Sequence, residues 1–216
     1  MLLRDFALIK EIGSGTTSCV WAAMCTRSLT QVAIKMYNKQ LLTPLNQRQV
    51  CQQCMLDDNM EGHLSPCTPL SQVEREIAIH CSIQHPHIVD FYAAFEDEQR
   101  IYLVMEFAAG GDLFDIVKQK GGRLAESEVA LLVIKPYLSA LAYLHSIGII
   151  HRDIKPENTV FTTNNVLKVT DFGLAVNQRL ERPVTRLGTL DYMVSLYPSN
   201  SLIDPEPYPL YLSSGS

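Results

Sequence analysis

Short apolar stretches separated by small polar residues dominate the first hundred positions. DFALIKEI (5–12), CVWAAMC (19–25) and QVAIKMY (31–37) are divided by GSGTTS and TRSLT. Apolar runs of this length, bounded by Gly, Ser and Thr, predict strands joined by turns in an antiparallel sheet. HIVDFYAAFEDEQRIYLVMEFA (87–108) predicts two further strands around an acidic turn. Residues 39–71 interrupt the pattern with Gln, Pro, Cys and Ser, and read as an insertion loop with a short helix at 45–56. VEREIAIHCSIQ then spaces Val73, Ile77 and Cys81 on one face, which predicts a helix ended by His85-Pro86. Past Gly110-Gly111 the period becomes helical. ESEVALLVIKPYLSALAYLHSIG predicts a long apolar helix over 125–147, beginning near Ala125. Pro136 inside it removes one hydrogen bond, at a cost of about 3 kcal/mol unless the helix kinks. Short strands follow at 159–161 and 166–169, and an irregular tail rich in Pro, Ser and Tyr begins at 194. The order predicts an α+β chain, a β-rich lobe before a helical one, crossing from Glu106 to Gly110. Clefts between lobes are where ligands usually sit.

Composition removes several alternatives. The 216 residues carry a formal charge of −5 and are 47% hydrophobic, the balance of an ordinary globular chain. Mild acidity argues against a nucleic-acid partner. No uninterrupted apolar run approaches about 18 residues, so no membrane partner is expected. The opening MLLRDFALIK is charged within its first five residues and lacks a signal-peptide core, so an intracellular location, cytoplasm or nucleus, is expected. Six cysteines scattered over this length do not require a disulfide framework.

The chemistry concentrates in HRDIKPENTVF (151–161) and DFG (171–173). Phosphoryl transfer needs a carboxylate to orient the attacking hydroxyl, ligands for the metal, and cations for the developing charge. Asp153 has the chemistry of the base and Lys155 that of a phosphate-directed cation. Asn158 and Asp171 offer oxygen to a hard ion. These residues resemble the eukaryotic protein kinase family, whose H-R-D-x-x-x-x-N and D-F-G motifs the chain reproduces in order. The resemblance implies a protein-kinase-like two-lobe fold, with ATP and Mg2+ as cofactors and protein Ser/Thr hydroxyls as acceptors. It implies a small lobe over 1–105 (a five-stranded sheet and one helix, with the insertion at 39–71) and a hinge at 106–110. A partial large lobe would follow over 111–193, and an irregular tail over 194–216.

VAIK (32–35) makes Lys35 the cation for the α- and β-phosphates, and the resemblance pairs it with a helical glutamate. Glu76 is the matching position, with Glu74 as the neighbour that could replace it. GSGTTSCV supplies Gly13 and Gly15 for close backbone approach to phosphate, but Ser18 stands where the family has its third glycine. By the same resemblance Ile12, Val20, Ala33 and Val160 enclose the adenine and Met105 stands behind it. Glu106 and Ala108 offer hinge backbone groups, and Asp112 approaches the ribose.

Lys155 and Thr189 match serine/threonine rather than tyrosine kinases, and Glu157 resembles the acidic residue that receives an arginine of basic substrates. TRLGTLDYM resembles the activation segment of Aurora-like kinases. Thr185 then marks a site for an upstream activating kinase or autophosphorylation, with Arg152 as partner for the added charge. His80 is a polar departure in the apolar spine expected between His151 and Phe172. Cys51 and Cys54 have zinc spacing, with Cys67 and His63 nearby, but coincidence in a polar insertion is the favoured reading.

The resemblance runs from about residue 4 to 193 and stops before the A-P-E motif, so a truncated product is expected. Two functions follow: an ATP-dependent serine/threonine protein kinase, or a catalytically impaired nucleotide-binding fragment acting as an interaction or interfering module. The sequence does not indicate an oligomeric state.

Overall fold

The structure, a computed structural model, describes residues 1–42 and 69–180. Its first layer is a five-stranded antiparallel sheet of β1 (Phe6–Ser14), β2 (Ser18–Cys25), β3 (Gln31–Asn38), β4 (Phe91–Glu96) and β5 (Arg100–Glu106), in the order β1-β2-β3-β5-β4. Every strand predicted from the apolar pattern is present, most with ends shifted by a residue or two, while β4 begins four residues into its predicted stretch. The acidic turn at 97–99 is closed by Asp97, whose carboxylate accepts from the Gln99 and Arg100 amides at 2.8 Å. β3 is buried on both faces between β2 and β5. Its even residues Val32, Ile34 and Met36 join Phe6, Tyr102 and Val104 in an outer core, while its odd residues turn inward.

Helix α1 (Pro69–His80) packs on the inner face of this sheet through Val73, against Tyr37, Leu42, Ile101 and Leu103. Both ends lie about four residues earlier than the pattern predicts. Pro69 takes the first helical position, where a missing N–H costs nothing. After His80 the ladder tightens: Ser82 N–H donates to the Ile79 carbonyl at 3.0 Å, and the Ser82 hydroxyl competes for that same oxygen at 2.7 Å. The insertion is also narrower than 39–71. Lys39–Leu42 forms a 3-10 turn that buries Leu42, and residue 69 already belongs to α1. The helix expected at 45–56, both zinc-spaced cysteines, Cys67 and His63 lie outside the described residues, as does everything beyond 180.

The second lobe begins with β6 (Gly111–Asp112) and α2 (Leu113–Gln119), capped by the Asp112 carboxylate accepting from Asp115 N–H at 2.7 Å. The long helix α3 runs continuously over Glu126–Ser146. Pro136 is accommodated by a π-helical stretch, Val129–Ile134, immediately upstream. Lys135 N–H donates to the Ala130 carbonyl five residues back, opening the ladder where the proline ring would otherwise strike an i−4 carbonyl. By length and composition α3 is apolar enough to cross a membrane, a property hidden from a search for uninterrupted apolar runs because charges punctuate it. Val133, Tyr137, Ala140 and Leu144 enter the core, whereas Leu131, Ile134 and Leu138 are exposed. Gly148 ends α3 with φ +84°, the left-handed cap that favours glycine.

β7 (Ile149–Ile150), β8 (Thr159–Phe161), β9 (Leu167–Val169) and β10 (Val176–Asn177) complete the lobe. β8 pairs with β6 and β9, and β7 pairs with β10. One apolar cluster joins the lobes: Ile79, Ile83 and Ile88 from the first pack with Leu144, Phe161, Val169 and Phe172 of the second. The fold is α+β, with a β-rich first lobe and a partial helical second lobe.

Candidate active site

Strand alternation positions the first cation. With Val32, Ile34 and Met36 in the outer core, Ala33, Lys35 and Tyr37 face the interlobe cleft and α1. Lys35 Nζ donates to Glu76 Oε1 at 2.8 Å and to Asp171 Oδ1 at 2.8 Å. Glu76, and not Glu74, therefore takes the pairing position on α1. Both members are buried, Lys35 at 8% and Glu76 at 2% exposure, which charges tolerate only when paired and hydrogen-bonded. Burial alone favours the neutral amine, but the carboxylates of Glu76 and Asp171 outweigh it and hold the Lys35 pKa well above its usual value. Lost hydration alone raises the Asp171 pKa; the adjacent Lys35 ammonium more than compensates and brings it below the ordinary carboxylate value.

A second cluster forms on the loop between β7 and β8. The Asn158 amide donates to the Asp153 backbone carbonyl at 2.9 Å and to Asp153 Oδ2 at 2.8 Å. Lys155 Nζ lies 2.7 Å from the same Oδ2. Pro156 starts the 3-10 turn Pro156–Asn158 that brings the asparagine back over the aspartate. With its amide nitrogen engaged, Asn158 keeps its side-chain oxygen for another partner. That oxygen and the Asp171 carboxylate suit Mg2+, which commonly takes one or two protein ligands and completes its shell with phosphate and water. Among the described residues no group of three or more His, Cys, Asp or Glu side chains gathers to hold a metal alone.

Two non-glycine residues here have left-handed backbones: Arg152 at φ +67° and Asp171 at φ +64°. Such conformations cost about 1–3 kcal/mol and persist where surroundings over-determine them. Arg152 Nε donates to the Leu174 carbonyl at 2.6 Å, and Asp171 is held by Lys35. Between these anchors Phe172 is fully buried against His151 and His80, with ring centroids 5.0 and 4.8 Å away. The spine residues are thus in contact, and the polar His80 is accommodated by its Nε2 hydrogen bond to the Val89 carbonyl at 2.8 Å. Its Nδ1 is buried with no partner among the described residues.

A cleft of about 430 Å³ opens between the lobes. Ile12, Gly13, Gly15, Val20, Ala33, Met105, Glu106, Ala108, Asp112 and Val160 all line it, together with Lys35, Lys155, Glu157, Asn158 and Asp171. Asp153 lies behind that wall, joined to it through Lys155 and Asn158. The Glu106 side chain turns from the cleft to Lys168, 2.7 Å away. Thr185 and Thr189 lie outside the described residues. Sequence reasoning missed Val89, Phe107 and Thr170 as lining residues, and it missed Tyr37 behind the Lys35–Glu76 pair. A signal for Tyr37 was present, because a residue two positions from Lys35 on one strand shares its face.

Residues 6–195 match the protein kinase domain family. The chain belongs to that family. It is 43% identical over 191 residues to Aurora kinase A-A of Xenopus laevis, covering 88% of this chain and 41% of that protein. It is 39% identical over 133 residues to the Aurora kinase of Encephalitozoon cuniculi, covering 62% of this chain and 48% of the relative. A serine/threonine-protein kinase, PLK4 of Nematostella vectensis, is 31% identical over 193 residues, covering 88% of this chain and 17% of its own length. The chain therefore spans less than half the length of these curated relatives. The expected Aurora-like serine/threonine kinase resemblance is borne out.

Proposed function

We propose that this kinase domain transfers the γ-phosphoryl group of ATP to serine or threonine hydroxyls of proteins. One observation carries the reading: Lys35, Glu76 and Asp171 share a single ion network beside the linked trio Asp153, Lys155 and Asn158. The organisation that goes with it is a small lobe over 1–105, a hinge at 106–110, and a large-lobe portion over 111–193 followed by the tail. Adenine lies among Ile12, Val20, Ala33, Met105 and Val160, with the Glu106 and Ala108 backbone at its edge and Asp112 near the ribose. Gly13 and Gly15 approach the phosphates, and Lys35 holds the α- and β-phosphates. Asn158 and Asp171 hold Mg2+, which neutralises phosphate charge when bound. Asp153 accepts the proton of the acceptor hydroxyl as that oxygen bonds to the γ-phosphorus. The bond from phosphorus to the β–γ bridging oxygen breaks, Lys155 offsets the charge, and ADP leaves.

Glu157 and Thr189 contact the substrate in this proposal, and phosphorylated Thr185 pairs with Arg152 after action by an upstream kinase or by the chain itself. An intracellular location accompanies the proposal, since ATP is supplied there. The experiment is transfer of labelled γ-phosphate from Mg·ATP to a basic serine peptide. We expect labelling by the chain and its loss in Asp153→Asn; equal labelling by both contradicts the reading.

A second reading draws on the exposed Leu131, Ile134 and Leu138 of α3. It makes the chain a catalytically impaired nucleotide-binding module that docks a partner through this apolar face. Mg·ATP stabilisation without peptide labelling would favour it.

A further inference from the structure

We propose that Tyr37 is a positioning residue for phosphoryl transfer: its phenol fixes Glu76, and through Glu76 the Lys35 ammonium, from a place on β3 outside the lining of the nucleotide cleft. The proposal rests on the kinase reading for what Lys35 does, and on geometry for what holds it there. Tyr37 lies two residues beyond Lys35 on β3, so the pleat directs both side chains to one face. Its hydroxyl donates to Glu76 Oε2 at 2.5 Å, while Lys35 Nζ donates to Oε1 at 2.8 Å. Each oxygen of one buried carboxylate thus has its own donor. The Lys35 ammonium also stands 5.1 Å from the Tyr37 ring centroid, within cation–π range. The three side chains close a triangle in which every pair interacts.

The tyrosine is itself fixed. Tyr37 is 7% exposed and packs with Leu42, Val73, Ile101 and Leu103. Glu76 rides on α1, which packs on the sheet through the apolar Val73, and apolar contacts permit sliding. Two hydrogen bonds from neighbouring positions of a central strand give its carboxylate a defined direction. An aliphatic residue at 37 would fill the same space and leave Oε2 buried without a donor, a costly state that favours rotation of α1 toward water.

The position of Tyr37 relative to the nucleotide cleft gives it a supporting role. A second cavity of about 320 Å³ adjoins the ion pair, lined by Tyr37, Leu41, Leu42 and Val73 together with Thr16, Thr17 and Ser18 of the glycine-rich turn, and it shares Ser18, Lys35, Glu76 and Asp171 with the nucleotide cleft. Tyr37 lines this second cavity and not the nucleotide cleft. It acts through Glu76 rather than on the nucleotide.

The test is a double-mutant cycle with Tyr37→Phe and Glu76→Ala, read by native-state hydrogen exchange of the α1 amides without nucleotide and by fluorescent Mg·ATP-analogue binding. Phenylalanine keeps the ring and its packing. We expect Tyr37→Phe to speed α1 exchange about tenfold and weaken nucleotide binding about tenfold, with neither effect recurring when Glu76 is already alanine. Unchanged α1 exchange in Tyr37→Phe overturns the proposal, as does an equal penalty with and without Glu76, the behaviour of a ring that merely fills space. If the wild-type chain binds no nucleotide, the kinase reading fails instead, and the exchange measurements still decide the role of Tyr37.

Discussion

Lys35 and Asp171 meet at 2.8 Å although 136 positions separate them in the chain. One belongs to the central strand of the first lobe and the other follows β9 of the second. Their ion pair, with Glu76 completing it, gathers groups from both lobes and from α1 into one charged centre. Each lobe alone would carry an expensive partial charge set.

Removing the ammonium exposes that dependence. Lys35→Met leaves the buried Glu76 carboxylate with the Tyr37 phenol but without its counter-ion. We expect a loss of about 3–5 kcal/mol in unfolding free energy, the range for breaking a buried pair from one side. Urea unfolding measures it; a loss under about 1 kcal/mol would show that the pair contributes little.

Asp153 separates binding from turnover. It lies behind the cleft wall, joined to Asn158 and Lys155. We expect Asp153→Asn to retain Mg·ATP affinity within a few-fold while peptide phosphorylation falls about 10²–10⁴-fold, the usual worth of a positioned base. Affinity and rate falling together would assign Asp153 to nucleotide binding instead.

Stability falls with acid before ordinary carboxylates titrate. Burial lowers the His80 pKa, with bonding to the Val89 carbonyl and the nearby Glu76 and Asp171 carboxylates opposing the shift, and Lys35 adding to it. The unfolded histidine titrates near 6.5, so below that pH the unfolded state binds the proton more readily. The contribution is complete above 6.5 and is lost as pH drops from there toward the lower folded value. We expect the urea midpoint of the wild type to fall between pH 7.5 and 5.5, and His80→Leu to flatten that fall. An unaltered slope in His80→Leu would contradict the assignment. Burial lowers the His151 pKa in the same direction, so some slope remains.

The crossing between lobes has no room for a side chain at Gly110. A Cβ there would meet the Phe161 and Thr162 carbonyl oxygens at 2.7 Å, and Gly110 N–H already donates to the Phe161 carbonyl at 2.7 Å. We expect Gly110→Ala to destabilise the chain by about 1–3 kcal/mol through overpacking against backbone, read as a lower melting temperature. Gly121→Ala serves as the comparison in open space, where the only penalty comes from its φ of +82°.

Much of this arrangement is legible in the sequence because its rules are local. Short apolar runs between turn residues mark the strands, and the motifs point to Lys35, Asn158 and Asp171, which line one cleft, and to Asp153, which is joined to it through Asn158 and Lys155. Glu76 could be chosen over Glu74 by resemblance, but only packing shows its burial. What stayed hidden depends on competition between distant groups. The end of α1 at His80 depends on Ser82 capturing a carbonyl, and the π stretch before Pro136 on how the helix absorbs a missing donor. Likewise, β6, β7 and β10 are two-residue strands, too short for any period to register.

If the two lobes converge on one magnesium-dependent nucleotide site, calorimetric titration with ATP will register it. With Mg2+ present we expect one ATP per chain, and binding at least tenfold weaker in Asp171→Asn or when Mg2+ is withheld. Binding that ignores both the metal and Asp171, or no binding by the wild-type chain, would contradict the account.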